Sequence, residues 1–182
     1  MFIMAKHLMV DLETMATGPD SVILTIGAVK FDPWGPNVDR STHNIFYRRV
    51  DTQTCEDLGM KIDPGTLDWW SKQAPEIIDE AFSPDNRIHI EQVIEEFHKF
   101  AWGCDCFWSH GAIFDIVILE EYYRKLKRAL PWNFWQIRDT RTIFDLGYDP
   151  EMPKDAKHNA LEDAYRQAVG VQNMYKKVAR QK

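Results

Sequence analysis

Leu8-Met9-Val10-Asp11-Leu12-Glu13-Thr14 decides how the rest of this chain is read. Leu8–Leu12 is an apolar run of strand character, and its two acids stand two positions apart. Successive side chains of a strand point to opposite faces, so Asp11 and Glu13 leave from the same one. Two ionised carboxylates about 4 Å apart repel by roughly 4 kcal/mol even at an effective dielectric of 20. Either that face is open to water or a cation lies between the acids, and the pair alone is compatible with both.

Outward from this strand, Val22–Phe31 and Asn44–Val50 are further apolar runs, set off by Thr17-Gly18-Pro19-Asp20 and Asp32-Pro33-Trp34-Gly35-Pro36. These read as three consecutive strands joined by turns. Helical patterns follow, from Pro64 to about Lys72, from Pro75 to about Phe82, and over Ile90–Trp102. A short strand over Cys106–Ser109 leads into a helix from about Phe114 to Arg128. Ile137–Asp139 leads into Arg141–Leu146, and a last helix runs from about Ala160 to Val178. Three strands followed by alternating helices and short strands predict an α/β layer architecture, a mixed sheet flanked by helices. With no internal repeat or linker, residues 1–182 are expected to form a single domain.

The chain has 182 residues, 45% hydrophobic and 13% aromatic with 27% charged, which suits a folded globular protein rather than a disordered or fibrous one. Its three cysteines, Cys55, Cys104 and Cys106, are odd in number and lack paired CxxC spacing, so neither a disulfide framework nor structural zinc is indicated. The early apolar run is too short and too charged for a signal peptide or membrane span, so a cytoplasmic enzyme is expected, with no membrane partner. The formal charge of −6 would ordinarily argue against a nucleic-acid partner. Acids gathered around cations account for part of that excess, because they lose their charge once the ions are bound.

Two further motifs carry chemistry. In Trp108-Ser109-His110-Gly111-Ala112-Ile113-Phe114-Asp115, a strand passes through a glycine-containing turn into a helix whose first turn holds Asp115. A helix N-terminus favours an anion in any case, yet a strand-to-helix turn is also where α/β sheets place ligand-contacting groups. In His158-Asn159-Ala160-Leu161-Glu162-Asp163, residues five apart within one helix would point about 140° from each other. With Asn159 as N-cap and Glu162 closing a capping box, His158 falls at N′ and Asp163 at N4, two positions that meet. Taken alone, the motif favours an ordinary capped helix with a surface histidine.

Together, Asp-x-Glu, then Phe-Asp, then His-x4-Asp resemble the DEDDh branch of the DnaQ-like 3′–5′ exonucleases, across nearly the whole chain. Ile23-Leu24-Thr25-Ile26-Gly27-Ala28-Val29 looks like that family's second strand, and Arg138-Asp139-Thr140-Arg141-Thr142 like its Asp-Thr segment. The latter, with Thr66-Leu67-Asp68-Trp69-Trp70, is closest to a phage and bacterial subgroup. His110-Gly111 departs from the His-Asn of many relatives. The resemblance implies a ribonuclease H-like fold in which Asp11, Glu13, Asp115 and Asp163 hold two Mg²⁺ or Mn²⁺ ions. Such a pair, about 3.5–4 Å apart, activates a water and stabilises the departing 3′ oxygen. His158 would be the general base, and the product a nucleoside 5′-monophosphate.

The implied partner is the 3′ end of single-stranded DNA or RNA, and a homodimer, as some relatives form, is compatible with the sequence. Thr14 and Met15 follow the first acid pair and are expected at the terminal nucleotide. Trp69 and Trp70 are both candidates to stack on a base, but adjacent helix residues point in different directions, so at least one belongs to the core, and Trp70 is the weaker candidate. Arg124, Lys125, Lys127 and Arg128 form a basic cluster that either follows a phosphate backbone or complements the helix end. A catalytically inactive nucleic-acid-binding protein would have little reason to hold all five chemical residues in order. A ribonuclease H-type endonuclease shares the carboxylates, but the His-x4-Asp motif and aromatic-rich middle favour the exonuclease. A polymerase-associated proofreading subunit differs only in partner, and without a recognisable docking segment a free-standing enzyme is preferred.

Overall fold

Strand β1 (His7–Thr14) pairs antiparallel with β2 (Ile23–Phe31), and β2 antiparallel with β3 (Ile45–Val50), so the predicted trio is a meander. The computed structural model describes residues 6–154 and 158–179. Two strands run parallel to β1 on its other side, β5 (Cys106–Ser109) beside it and β6 (Ile137–Asp139) beyond, and the two-residue β4 (Arg87–Ile88) lies parallel to β3 at the opposite edge. Among the described residues the sheet has six strands in the order β4-β3-β2-β1-β5-β6. The helices are α1 (Thr52–Asp57), α2 (Pro64–Trp70), α3 (Pro75–Phe82), α4 (Ile90–Ala101), α5 (Asp115–Lys125), α6 (Thr140–Phe144) and α7 (Ala160–Ala179).

The period of two along β1 sorts its side chains between two cores. Leu8, Val10 and Leu12 pack with Ile94 and Phe97 of α4 and with Ile118 and Leu119 of α5. Met9 faces the other way, with Val29, Phe31 and Trp108, under Ala164, Ala168 and Val171 of α7. Asp11 and Glu13 share the parity of Met9, which puts both on the α7 side. Covered on both faces, β2 is almost continuously buried, as sheets sandwiched between helices are.

Three departures from the sequence reading have local causes. Helix α5 stops at Lys125 rather than Arg128, because Lys127 takes a left-handed φ of 54° and the Arg128 N–H reaches back to the Tyr123 carbonyl. That is a Schellman ending with lysine where glycine is usual, so composition gives no stop signal. Helix α1 escaped prediction because its six residues carry no apolar stripe, although Asp51 caps it by accepting from the Gln53 N–H. Strand β4 is only two residues long and is held through Arg87, whose guanidinium donates to the carbonyls of Leu24, Val50 and Ala81.

A buried histidine gives this fold an acid sensitivity. His7 is 6% exposed, and its Nδ1 accepts from Trp108 Nε1 at 3.0 Å. Burial pushes its pKa from 6.5 down to about 4. The unfolded chain takes up a proton near pH 6.5 that the folded chain refuses, so this contribution is complete above that pH and is lost towards pH 4. The linkage amounts to about 3 kcal/mol. His7→Gln retains an acceptor for the indole and cannot ionise. Urea midpoints at pH 7 and pH 4.5 should therefore fall more steeply in the wild type than in the variant, and equal slopes would show that His7 is not the group responsible.

Candidate active site

Asp11, Glu13 and Asp163 come together where β1 meets the first turn of α7, with ligand oxygens all within 4.8 Å of one another. Two features of the chain allow that turn to approach. Gly27 lies opposite Asp11 in the β1–β2 register, and a Cβ there would stand 2.2 Å from the Ala160 carbonyl carbon and the Leu161 nitrogen. Asn159 caps α7, its Oδ1 accepting from the N–H groups of Leu161 and Glu162, both at 3.1 Å. The N-cap reading therefore holds. The reciprocal half of the capping box does not form, because the Glu162 carboxylate goes to Arg40 from a distant loop.

Asp115 enters from the first turn of α5, 3% exposed, with Oδ1 accepting from the Leu12 N–H at 3.1 Å. It lies outside the tight trio but lines the same cavity, of about 360 Å³, with Asp11, Glu13, His158, Asp163, Arg166 and Gln167. His158 stands exposed at the cavity wall in a left-handed conformation, φ 45°, with its ring edge-on to Trp69 at 5.4 Å. No His158–Asp163 ion pair forms among the described residues.

The electrostatics of the cleft favour a cation. Burial, and then repulsion from Asp115, Glu13 and Asp163, raise the Asp11 pKa well above the carboxylate range against the opposing hydrogen bond from Gln167. Burial followed by the charges of Asp163 and Asp115 raises Glu13 to about 8, and burial raises Asp115 to about 7. For Asp115 this outweighs both the Leu12 N–H and its place at a helix N-terminus, which pull the other way. Hard oxygen donors in this number and spacing fit a divalent cation.

Two further residues of the cleft hold its acids. Gln167 donates to Asp11 Oδ1 at 2.9 Å, and Arg166 donates to Asp163 Oδ1 at 3.0 Å from one turn further along α7. Gln167 reaches Asp11 only through the register of α7 against β1, whereas Arg166 is an i,i+3 neighbour of Asp163 on the same helix. The Asp-Thr segment also acquires a role. Asp139 accepts from the Ala112 N–H at 2.8 Å and the Thr140 hydroxyl meets His110 Nδ1 at 2.8 Å, so β6 and α6 brace the loop that delivers Asp115. Within that loop Gly111 has φ 109°, a conformation suited to glycine.

An adjoining pocket of about 490 Å³ shares Leu12, Glu13 and Phe114 with the acid cleft and continues past Thr14, Asp63, Thr66, Trp69 and Trp70. Thr14 lines it with its hydroxyl turned to the Ala16 carbonyl, whereas Met15 lies outside the lining and packs against the core. Trp70 is 3% exposed, donates from Nε1 to the Thr14 carbonyl and packs with Leu24, Ile77 and Ala81, so it forms a wall. Trp69, 43% exposed, is the more open of the two rings, edge-on to Trp70 on one side and to His158 on the other. The basic cluster is largely paired, Arg124 and Lys125 with Glu121, and Arg128 with Glu91.

Residues 6–175 match the family of 3′–5′ exoribonuclease Rv2179c-like domains. The "Exodeoxyribonuclease" of Enterobacteria phage T4 is 24% identical over 155 residues, covering 73% of this chain and 68% of that protein. Among solved structures, the nuclease domain of 3′hExo, a DEDDh family member bound to rAMP, superposes with a TM-score of 0.61 at 12% identity, over 97% of this chain and 94% of that one. The metal-free E. coli ExoI–ssDNA complex gives 0.60 at 15% identity, over 97% of this chain and 41% of that one. These neighbours have ribonuclease H-like DEDDh nuclease folds, so the α/β architecture expected from the sequence is the one found. The chain belongs to the family of 3′–5′ exoribonuclease Rv2179c-like domains and is a 3′–5′ exonuclease.

Proposed function

We propose that the acid cleft hydrolyses the last phosphodiester bond at the 3′ end of a single-stranded nucleic acid, releasing nucleoside 5′-monophosphates. The observation that carries this reading is the convergence of Asp11, Glu13 and Asp163 within 4.8 Å beside a pocket of nucleotide size. Two Mg²⁺ or Mn²⁺ ions held by Asp11, Glu13, Asp115 and Asp163 would supply charge neutralisation at the phosphate and a water of lowered pKa. His158, at the cavity wall, takes the proton from the attacking water. The terminal nucleotide occupies the adjoining pocket, with Thr14 and the Trp70 wall beneath it and its base against the exposed ring of Trp69. Stacking of that kind is worth about 1–3 kcal/mol per base. Gln167 and Arg166 hold Asp11 and Asp163 in place.

Both sugars remain in the proposal, because the family's description names RNA and the phage relative's name DNA. Matched single-stranded DNA and RNA oligonucleotides, labelled separately at either end, test it with Mg²⁺ or Mn²⁺ present. The 5′-labelled strand should shorten through a ladder while the 3′ label leaves as a mononucleotide, and the faster of the two ladders identifies the preferred sugar. Cleavage of a circular single strand would instead support an endonuclease.

A further inference from the structure

We propose that Glu80, on α3 and outside the cleft, is a positioning residue for this reaction, acting through Asn159 on His158. The inference rests on His158 being the general base. The Glu80 carboxylate is aimed from two sides. Tyr47 Oη donates to Oε1 at 2.5 Å and Arg49 Nη2 to Oε2 at 2.6 Å, while Arg49 Nε also donates to the Glu80 carbonyl at 3.4 Å. Thus β3 fixes both the side chain and the backbone of this residue. The remaining contact runs to the catalytic turn, where Asn159 Nδ2 donates to Glu80 Oε1 at 3.1 Å.

Asn159 uses both ends of its amide, its oxygen on the first N–H groups of α7 and its nitrogen on Glu80. Its orientation is thereby set by two independent elements. The residue before it, His158, has φ 45°, a conformation sparsely populated by non-glycine residues and kept only where its surroundings over-determine it. The Glu80 contact supplies such a constraint one residue away. It also joins the two walls of the cleft, because α3 packs through Ile77 and Ala81 against Trp70, whose neighbour Trp69 meets the His158 ring. An ordinary helix-to-loop brace would need neither the two-sided aim of the carboxylate nor an endpoint on the cap that precedes the metal-binding turn.

A double-mutant cycle separates this role from a structural one. Glu80→Ala should lower kcat about tenfold to a hundredfold, the scale expected when a catalytic group is misplaced by about 1 Å. KM and the Mn²⁺-induced rise in melting temperature should stay as in the wild type, since Glu80 lines neither the pocket nor the acid cleft and Asn159 keeps its cap on α7 through its oxygen. In a His158→Ala parent, the same substitution should change kcat less than twofold. If Glu80→Ala does not fold, Asn159→Asp serves in its place: it keeps a capping oxygen but turns the Glu80 contact repulsive, and the same loss of kcat, absent in the His158→Ala parent, is expected. Equal losses in both backgrounds, or wild-type turnover of the single variant, would overturn the positioning role. A His158→Ala parent with undiminished turnover would remove the base assignment and this proposal with it.

Discussion

Asp115→Asn should abolish cleavage while leaving the metal-free protein at least as stable as wild type. Asparagine has nearly the same shape, and its Oδ1 can still accept from the Leu12 N–H, which meets the present carboxylate at 3.1 Å. What disappears is a negative charge buried to 3% exposure. A helix-terminus acid contributes about 0.3–1 kcal/mol of stability, so if that were its main role the variant would be slightly destabilised. Asp115 instead has its pKa raised from 3.8 to about 7, and each unit corresponds to about 1.4 kcal/mol against the charged form. Burial wins over the dipole by a wide margin, and removal of the charge should relieve the folded state.

The pH dependence follows with a definite sign. Glu13 at about 8 and Asp115 at about 7 both hold protons that the unfolded chain releases near pH 4. Their favourable contribution is complete below that value and is lost as pH rises through 7 to 8. With EDTA, the melting temperature should therefore fall across this window, less steeply in Asp115→Asn. Mn²⁺ should oppose the fall, adding roughly 2.7 kcal/mol at about 100 times its Kd, and the addition should shrink in the variant. Melts of both proteins with EDTA and with Mn²⁺, at pH 5 and pH 8, give all four comparisons. An undiminished metal shift in Asp115→Asn would place that residue outside the metal site.

What could be read from the sequence divides along the range of the interactions involved. The strands β1, β2 and β3 and helices α3, α4 and α7 were legible because apolar spacing and turn chemistry are local. The N-cap role of Asn159 was legible for the same reason. The partner of Glu162 was not, since Arg40 lies 122 residues away, and the same holds for Gln167, which reaches Asp11 across 156 residues. The Trp69-Trp70 pair shows the limit within a single turn of helix. Adjacent side chains must diverge, but only the packing of α3 against α2 decides that Trp70 is buried and Trp69 exposed.

Gly27→Ala should cost both stability and activity, because the site depends on how closely α7 approaches β2. The new Cβ would lie 2.2 Å from the Ala160 carbonyl carbon and the Leu161 nitrogen, and 2.4 Å from the Ala160 oxygen, where ordinary contact begins near 3.4 Å. The shortfall is 3.4 − 2.2 = 1.2 Å against the nearest atoms, and all three obstructions are backbone, so no side-chain rotation relieves it. Either β2 bends within a sheet paired on both sides, through Asp11 and Tyr47, or the first turn of α7 lifts. The sheet is the stiffer element, and lifting the turn carries Asp163 away from Asp11 and Glu13 and strains the Gln167–Asp11 hydrogen bond. Overpacking of this kind costs about 1–3 kcal/mol, which lowers the melting temperature by about 2–4 °C per kcal/mol in a chain of this size. A displacement near 1 Å at the chemistry costs about a hundredfold in rate. The Mn²⁺-induced stabilisation should shrink as well, because the trio of oxygens opens. A variant that melts lower yet cleaves at the wild-type rate would show that the α7 turn can move without taking the site with it.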